Sequence, residues 1–287
     1  MALESLFGTG TIAAMVAISV VAGLAHGTIG FGFPVISTPL VALLTDVKTA
    51  ILGTVVPNIA VNVISILRGG RWRESIGRHW PVAAAVVAGT LVGTRLLLVA
   101  PPEPLKVLLA AMILVYLQQE RLRRLDWSWI ARAPRASGIG FGLVGGILSG
   151  AVNVSAPPLL IYFMTLGLAP IAMTQVLNLC FIAGKVTQAT NLGLSQAGGV
   201  HVLWASLPLT AIAVATVLGG MRVQSRLRPE MYRRRLRAVL WAMAFLLLAQ
   251  VGWKVAHGLQ FLGFVQAARA FASVAAWISA VRMVKPS

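Results

Sequence analysis

Acidic residues are scarce in this chain: seven Asp and Glu stand against 24 Lys and Arg, and all charged residues together make up 11% of the sequence. With 58% of its 287 residues apolar, the chain has too little polar surface to cover a soluble globule of that size. Cysteine is nearly absent as well. Cys180 alone lies inside an apolar run, so no internal disulfide is possible. No basic residue precedes Lys48, and Glu4 stands before the first apolar run. The positively charged start of a secretory signal is therefore missing, and the first run is expected to stay in the mature protein. The acids Glu4, Asp46, Glu74, Glu103, Glu120, Asp126 and Glu230 fall in loops or at run ends. That disfavours a cation carrier or a carboxylate proton relay, which needs an acid within a span. The net charge of +17 does not point to nucleic acid, because the arginines crowd into loops rather than onto the face of a soluble domain.

What the chain has in quantity is apolar runs of membrane-spanning length: roughly 9–25, 33–45, 48–67, 80–100, 103–119, 137–152, 156–168, 170–192, 199–221, 236–256 and 259–284. Three loops carry most of the arginine, and the positive-inside rule places 68–79, 120–136 and 222–236 in the cytoplasm, with 100–104 and 193–198 outside. Parity then restricts the short runs. Residues 137–152 and 156–168 either both cross or form a hairpin that dips in and returns, and the same holds for 9–25 and 33–45. On either choice the first half begins outside and the second inside, which makes an inverted repeat. The fold class expected is an all-α polytopic membrane protein of about eight transmembrane helices, eight to ten with broken segments. It divides into a first repeat over 1–119, a cytoplasmic basic linker over 120–136, a second repeat over 137–257 and an extra C-terminal helix over 258–287.

Two stretches interrupt the apolar runs. HGTIGFGFPVISTP, from His26 to Pro39, and GGILSGAVNVSAPP, from Gly145 to Pro158, combine glycines with prolines and cannot be regular helix. An offset of 120 residues aligns Gly30 with Gly150, Leu40 with Leu160, Ile51 with Ile171, Thr54 with Thr174 and Asn58 with Asn178. A Thr-x-x-x-Asn pattern thus follows each break, placing a hydroxyl and an amide on one helix face. These residues either serve a shared site or make interhelical hydrogen bonds only.

The continuations GFGFPVISTPLVALLTDVKTAI and GGILSGAVNVSAPPLLIYFMTLGL resemble the two repeat motifs of the TauE/SafE, or sulfite exporter, family of membrane transporters. The resemblance is close over 26–70 and 138–192 and spans about Gly8 to His257. It implies a carrier of about eight spans in two related halves, with several members exporting sulfite, organosulfonates or other small organic anions. Many members have a glycine cluster where this chain has Phe31 and Phe33, and Gly-Gly-Pro where it has Val154, Ser155 and Ala156 before Pro157.

The residues themselves also favour an anion. A broken helix in a membrane leaves N–H groups at the start of each half-helix, and the helix dipole adds to their attraction. The substrate-binding set expected is Thr28, Gly30, Gly32, Asn58, Ser149, Gly150, Asn153, Ser155, Asn178 and Lys185. Lys185, the one basic residue well inside a span near the breaks, is either a ligand or an anchor snorkelling to the headgroups. His26 is either a titrating donor or a structural one. No cofactor, metal or catalytic residue is expected. The partners expected are the lipid bilayer and a small anionic substrate, with a homo-oligomer open and no nucleic acid, in the cell membrane. Two alternatives stand: an anion channel, and an intramembrane serine hydrolase using Ser149 with His201 or His257. The second lacks the glycine two positions before the serine, where Ile147 stands.

Overall fold

The computed structural model describes residues 9–67, 72–122, 124–195, 203–223 and 229–256. The expected C-terminal helix over 258–287, and His201 and His257, lie outside them. All described secondary structure is helical: α1 (Thr9–Ile29), α2 (Phe33–Leu44), α3 (Val47–Leu67), α4 (Trp72–Val99), α5 (Pro102–Leu117), short α6 (Gln119–Leu122) and α7 (Ser128–Arg132), α8 (Pro134–Val152), α9 (Ala156–Thr165), α10 (Pro170–Ser195), α11 (Leu207–Val223) and α12 (Pro229–Ala256). The chain is a polytopic membrane protein. Eight of these helices, α1, α3, α4, α5, α8, α10, α11 and α12, have 16 to 28 residues. Helices α2 and α9 have 12 and 10, or roughly 18 and 15 Å at 1.5 Å per residue, about half a bilayer core.

Contacts between helix ends decide how the short helices run. Tyr162 Oη, late in α9, donates to the carbonyl of Pro134, at the start of α8, over 2.9 Å. Helix α9 therefore returns to the end from which α8 enters, and the pair is a re-entrant hairpin. At the far end of the bundle, Gln250 Nε2 donates to the Leu43 carbonyl, Lys48 Nζ to the Leu98 carbonyl and Lys106 Nζ to Gln250 Oε1. Leu43, near the last residue of α2, is thereby fixed opposite the arginine-rich end, which the Glu120–Arg237 ion pair marks. Helix α1 lies parallel to α11, with Gly23 beside Ala213 and Thr216, and Gly27 beside Val217 and Gly220. So α1 and α2 form a second hairpin, entering from the opposite end. Both short pairs are hairpins, and the two halves run in opposite senses.

The breaks themselves are much shorter than the sequence stretches that announce them. Helix α1 continues to Ile29 and α8 to Val152, leaving only Gly30–Gly32 and Asn153–Ser155 outside helix. Pro34, Pro157 and Pro158 sit in the first turns of α2 and α9, where a missing N–H deletes no helical bond. Pro39 is carried inside α2. Gly138, Gly142, Gly146 and Gly150 belong to α8 and form its contact face against α4. A Cβ at Gly150 would stand 2.5 Å from Thr94 N and 2.6 Å from Thr90 O. Without side chains there, two backbones approach closely, which is how helices associate in lipid. The packing is reciprocal: the α8–α9 hairpin of the second half leans on α4 of the first, and α1 of the first leans on α11 of the second.

The orientation of the bundle gives a prediction. In a Cys180→Ser background, a membrane-impermeant thiol reagent added outside should label Pro102→Cys and not Ser128→Cys. Labelling at 128 alone would invert the topology.

Candidate functional site

Each break is held by a long helix of the other half. At the first, Asn178 Nδ2 on α10 donates to the Gly30 carbonyl over 2.9 Å, and Thr174 packs on Gly30, whose φ is 91°. At the second, Asn153 takes a left-handed conformation with φ 64°. Its Nδ2 donates to Thr38 Oγ1 on α2 over 2.6 Å, and its Oδ1 accepts from Asn58 Nδ2 on α3 over 3.3 Å. The two asparagines aligned by the 120-residue offset thus do matching work in opposite halves.

Each half also staples its own hairpin, at positions related by the same offset. In the first, the Phe33 N–H donates to His26 Nδ1 over 3.2 Å, and His26 Nε2 meets Ser65 Oγ at 2.8 Å. A nitrogen that accepts from a backbone N–H carries no proton itself, so the bond to Phe33 fixes the neutral tautomer with hydrogen on Nε2. His26 is therefore a structural bridge across the first break. In the second half the position of Ser65 is taken by Lys185. Its Nζ donates to Gln188 Oε1 over 2.6 Å and to the Ser149 carbonyl over 3.1 Å, while Gln188 Nε2 donates to the Gly150 carbonyl over 2.8 Å. These are last-turn carbonyls of α8, at the negative end of its dipole, and that of Ser149 also accepts from the Asn153 N–H over 3.1 Å.

Lys185 is only 2% exposed. It does not reach the headgroups, and the anchoring alternative is excluded by its burial in the middle of α10. Its hydrogen-bond partners are neutral, and among the described residues no acid pairs with it. Beside it, Gly184 faces the hydroxyls of Ser149 and Thr90. Among the described residues, the buried hydroxyls of Ser149 and Thr94 have no hydrogen-bond partner. The junction of α4, α8 and α10 therefore combines a buried lysine amine with the uncommitted hydroxyl of Ser149.

The model of the sulfite exporter TauE/SafE family matches residues 15–251, taking in both hairpins and both long helices that cross them. The chain belongs to the TauE/SafE family. It is accordingly a membrane transporter in class. No curated protein and no solved structure is significantly similar to it.

Within this TauE/SafE chain the expected site residues divide. Asn58, Asn153, Asn178, Ser149 and Lys185 come together around the breaks. Thr28 turns back on its own helix, donating to the Ala25 carbonyl over 2.9 Å. Gly32, with φ 111°, faces open space, and Ser155 precedes α9 without capping it. Gly150 is committed to α4 rather than open to a ligand. The half-helix N-termini also offer fewer donors than expected: Phe33 N–H is taken by His26, Val35 N–H by the Gly32 carbonyl, and Pro34, Pro157 and Pro158 have none. Sequence reading missed Gln188, Thr90 and Thr94, which lie on helices without a break; only spacing to Lys185 could have flagged Gln188. For a serine hydrolase, Ser149 Oγ would need a base; among the described residues, which leave out His201 and His257, it has no hydrogen-bond partner.

Proposed function

We propose that this protein exports a small anion, sulfite or an organosulfonate, across the cell membrane by alternating access around the crossed breaks. The observation that carries the proposal is Lys185, buried with only neutral hydrogen-bond partners next to Ser149, whose hydroxyl has no hydrogen-bond partner among the described residues. A buried cation left uncompensated is costly, so an anionic ligand completes the site electrostatically. The two hairpins enter from opposite ends, and the break of each is bonded by side-chain amides to the other half. Loosening Asn178 from Gly30, or Asn153 from Asn58 and Thr38, would free one break at a time, which is the asymmetry that alternating access requires.

Proteoliposomes preloaded with sulfite, alkanesulfonates or carboxylates test it. Efflux should saturate and be stimulated by anion on the opposite side. Flux that rises linearly with concentration and shows no counter-transport would make the protein an anion channel instead.

A further inference from the structure

A cavity of about 1110 Å³ opens at the arginine-rich end of the bundle. Arg78, at the entry to α4, and Arg135, in the first turn of α8, line it, and among the described residues no aspartate or glutamate does. Two long helices begin at its wall: α8 through Pro134 and Arg135, and α10 through Ile171 and Ala172. Their dipoles present positive ends to the same space as the two guanidinium groups. Besides His79, the remaining wall is mostly apolar, with Val82, Ile139, Leu166, Leu168 and the ring of Tyr162. Ligand sites of about 300–1,000 Å³ bury molecules of drug size, so the space is far larger than an inorganic oxyanion needs. Its inner limit is Gln175, one helical turn from Asn178 at the first break.

We infer that this vestibule is a binding site for an amphipathic organic anion, whose oxyanion head lies on Arg78 and Arg135 and whose carbon body lies on the apolar wall. The site collects such anions before they reach the breaks. That sequence of events rests on the transport reading above, whereas binding itself does not. The chemistry of head and body is shared by soluble sulfonates and by anionic lipids, and the two sources are separated by experiment.

The test is calorimetric titration of the full chain in nanodiscs with methane-, butane- and hexanesulfonate. The dissociation constant should fall about three- to fourfold for each added methylene, as burial of hydrocarbon dictates. Arg78→Gln and Arg135→Gln should each weaken hexanesulfonate about tenfold, the cost of losing one charge-assisted bond. Ile139→Asn should flatten the dependence on chain length while leaving methanesulfonate unchanged. Equal affinity across the series, or arginine variants that bind as wild type, would overturn the inference. Hexanesulfonate binding that is present in phosphatidylcholine discs and lost in phosphatidylglycerol discs would assign the site to lipid and overturn the soluble ligand. If sulfite efflux proceeds while no binding depends on Arg78 and Arg135, the vestibule site fails and the transport reading stands. If binding follows the expected pattern while no anion is transported, the reverse holds.

Discussion

Replacing Gly150 with leucine is expected to prevent assembly of the bundle, whereas the same change at Gly140, ten residues away on the same helix, is expected to be tolerated. At Gly150 the new Cβ alone would press on backbone atoms of Thr94, Thr90 and Gly93, and backbone cannot rotate aside. At Gly140 nothing lies within 4 Å. Overpacking of a well-filled interior costs about 1–3 kcal/mol and sometimes more. A leucine wedged between two helices that touch through glycine belongs at the upper end, because Gly89, Gly93 and Gly146 share the same close approach. The measurement is fluorescence-detected size-exclusion chromatography with a thermal ramp: Gly150→Leu should lose the monodisperse peak or melt far below wild type, and Gly140→Leu should match it. Equal stability of the two variants would mean that α4 and α8 do not pack as described. The same geometry removes Gly150 from use as a probe of ligand approach, since its variants would fail before any ligand was met.

Lys185→Met is expected to abolish efflux while leaving the protein foldable. Methionine fills nearly the same space but supplies neither the charge nor the bonds to Gln188 Oε1 and the Ser149 carbonyl. A hydrogen bond to a charged group contributes up to about 3 kcal/mol, or roughly a hundredfold in affinity, so transport at sub-saturating sulfite should fall about that much. Some stability should be lost too, because two buried acceptors are left with fewer donors; Gln188 still covers the α8 carbonyls. Lys185→Arg keeps the charge and should keep measurable efflux. A Lys185→Met protein that melts lower yet transports at the wild-type rate would reduce Lys185 to a cap on α8, and the functional assignment would fall with it.

The sequence was most legible where chemistry is local. Glycine and proline between apolar runs located both breaks, and the arginine loops gave an orientation against which every helix direction is consistent. Extent was less legible. Pro39 and the glycines of α8 read as helix breakers, but Pro39 is carried within α2 and the glycines face another backbone. A glycine's meaning depends on its neighbour in space, and that neighbour, α4, is about 60 residues away in sequence. Likewise Asn58 and Asn178 could be aligned by offset, yet nothing in the offset says that each would bond to the opposite half.

Composition by itself determined that the chain lives in a membrane, that it crosses many times and that no carboxylate stands within its spans, because burial of charge in hydrocarbon is costly enough to govern the whole residue inventory. Parity of the charged loops determined that the halves are inverted. Only the tertiary structure decided that the short runs are hairpins rather than crossings, that His26 is a neutral bridge, and that Lys185 is buried among neutral partners. Those outcomes depend on which backbone groups find partners across the bundle. A hydrogen bond is satisfied at about 3 Å by whatever the fold brings near, and sequence separation carries no record of that distance.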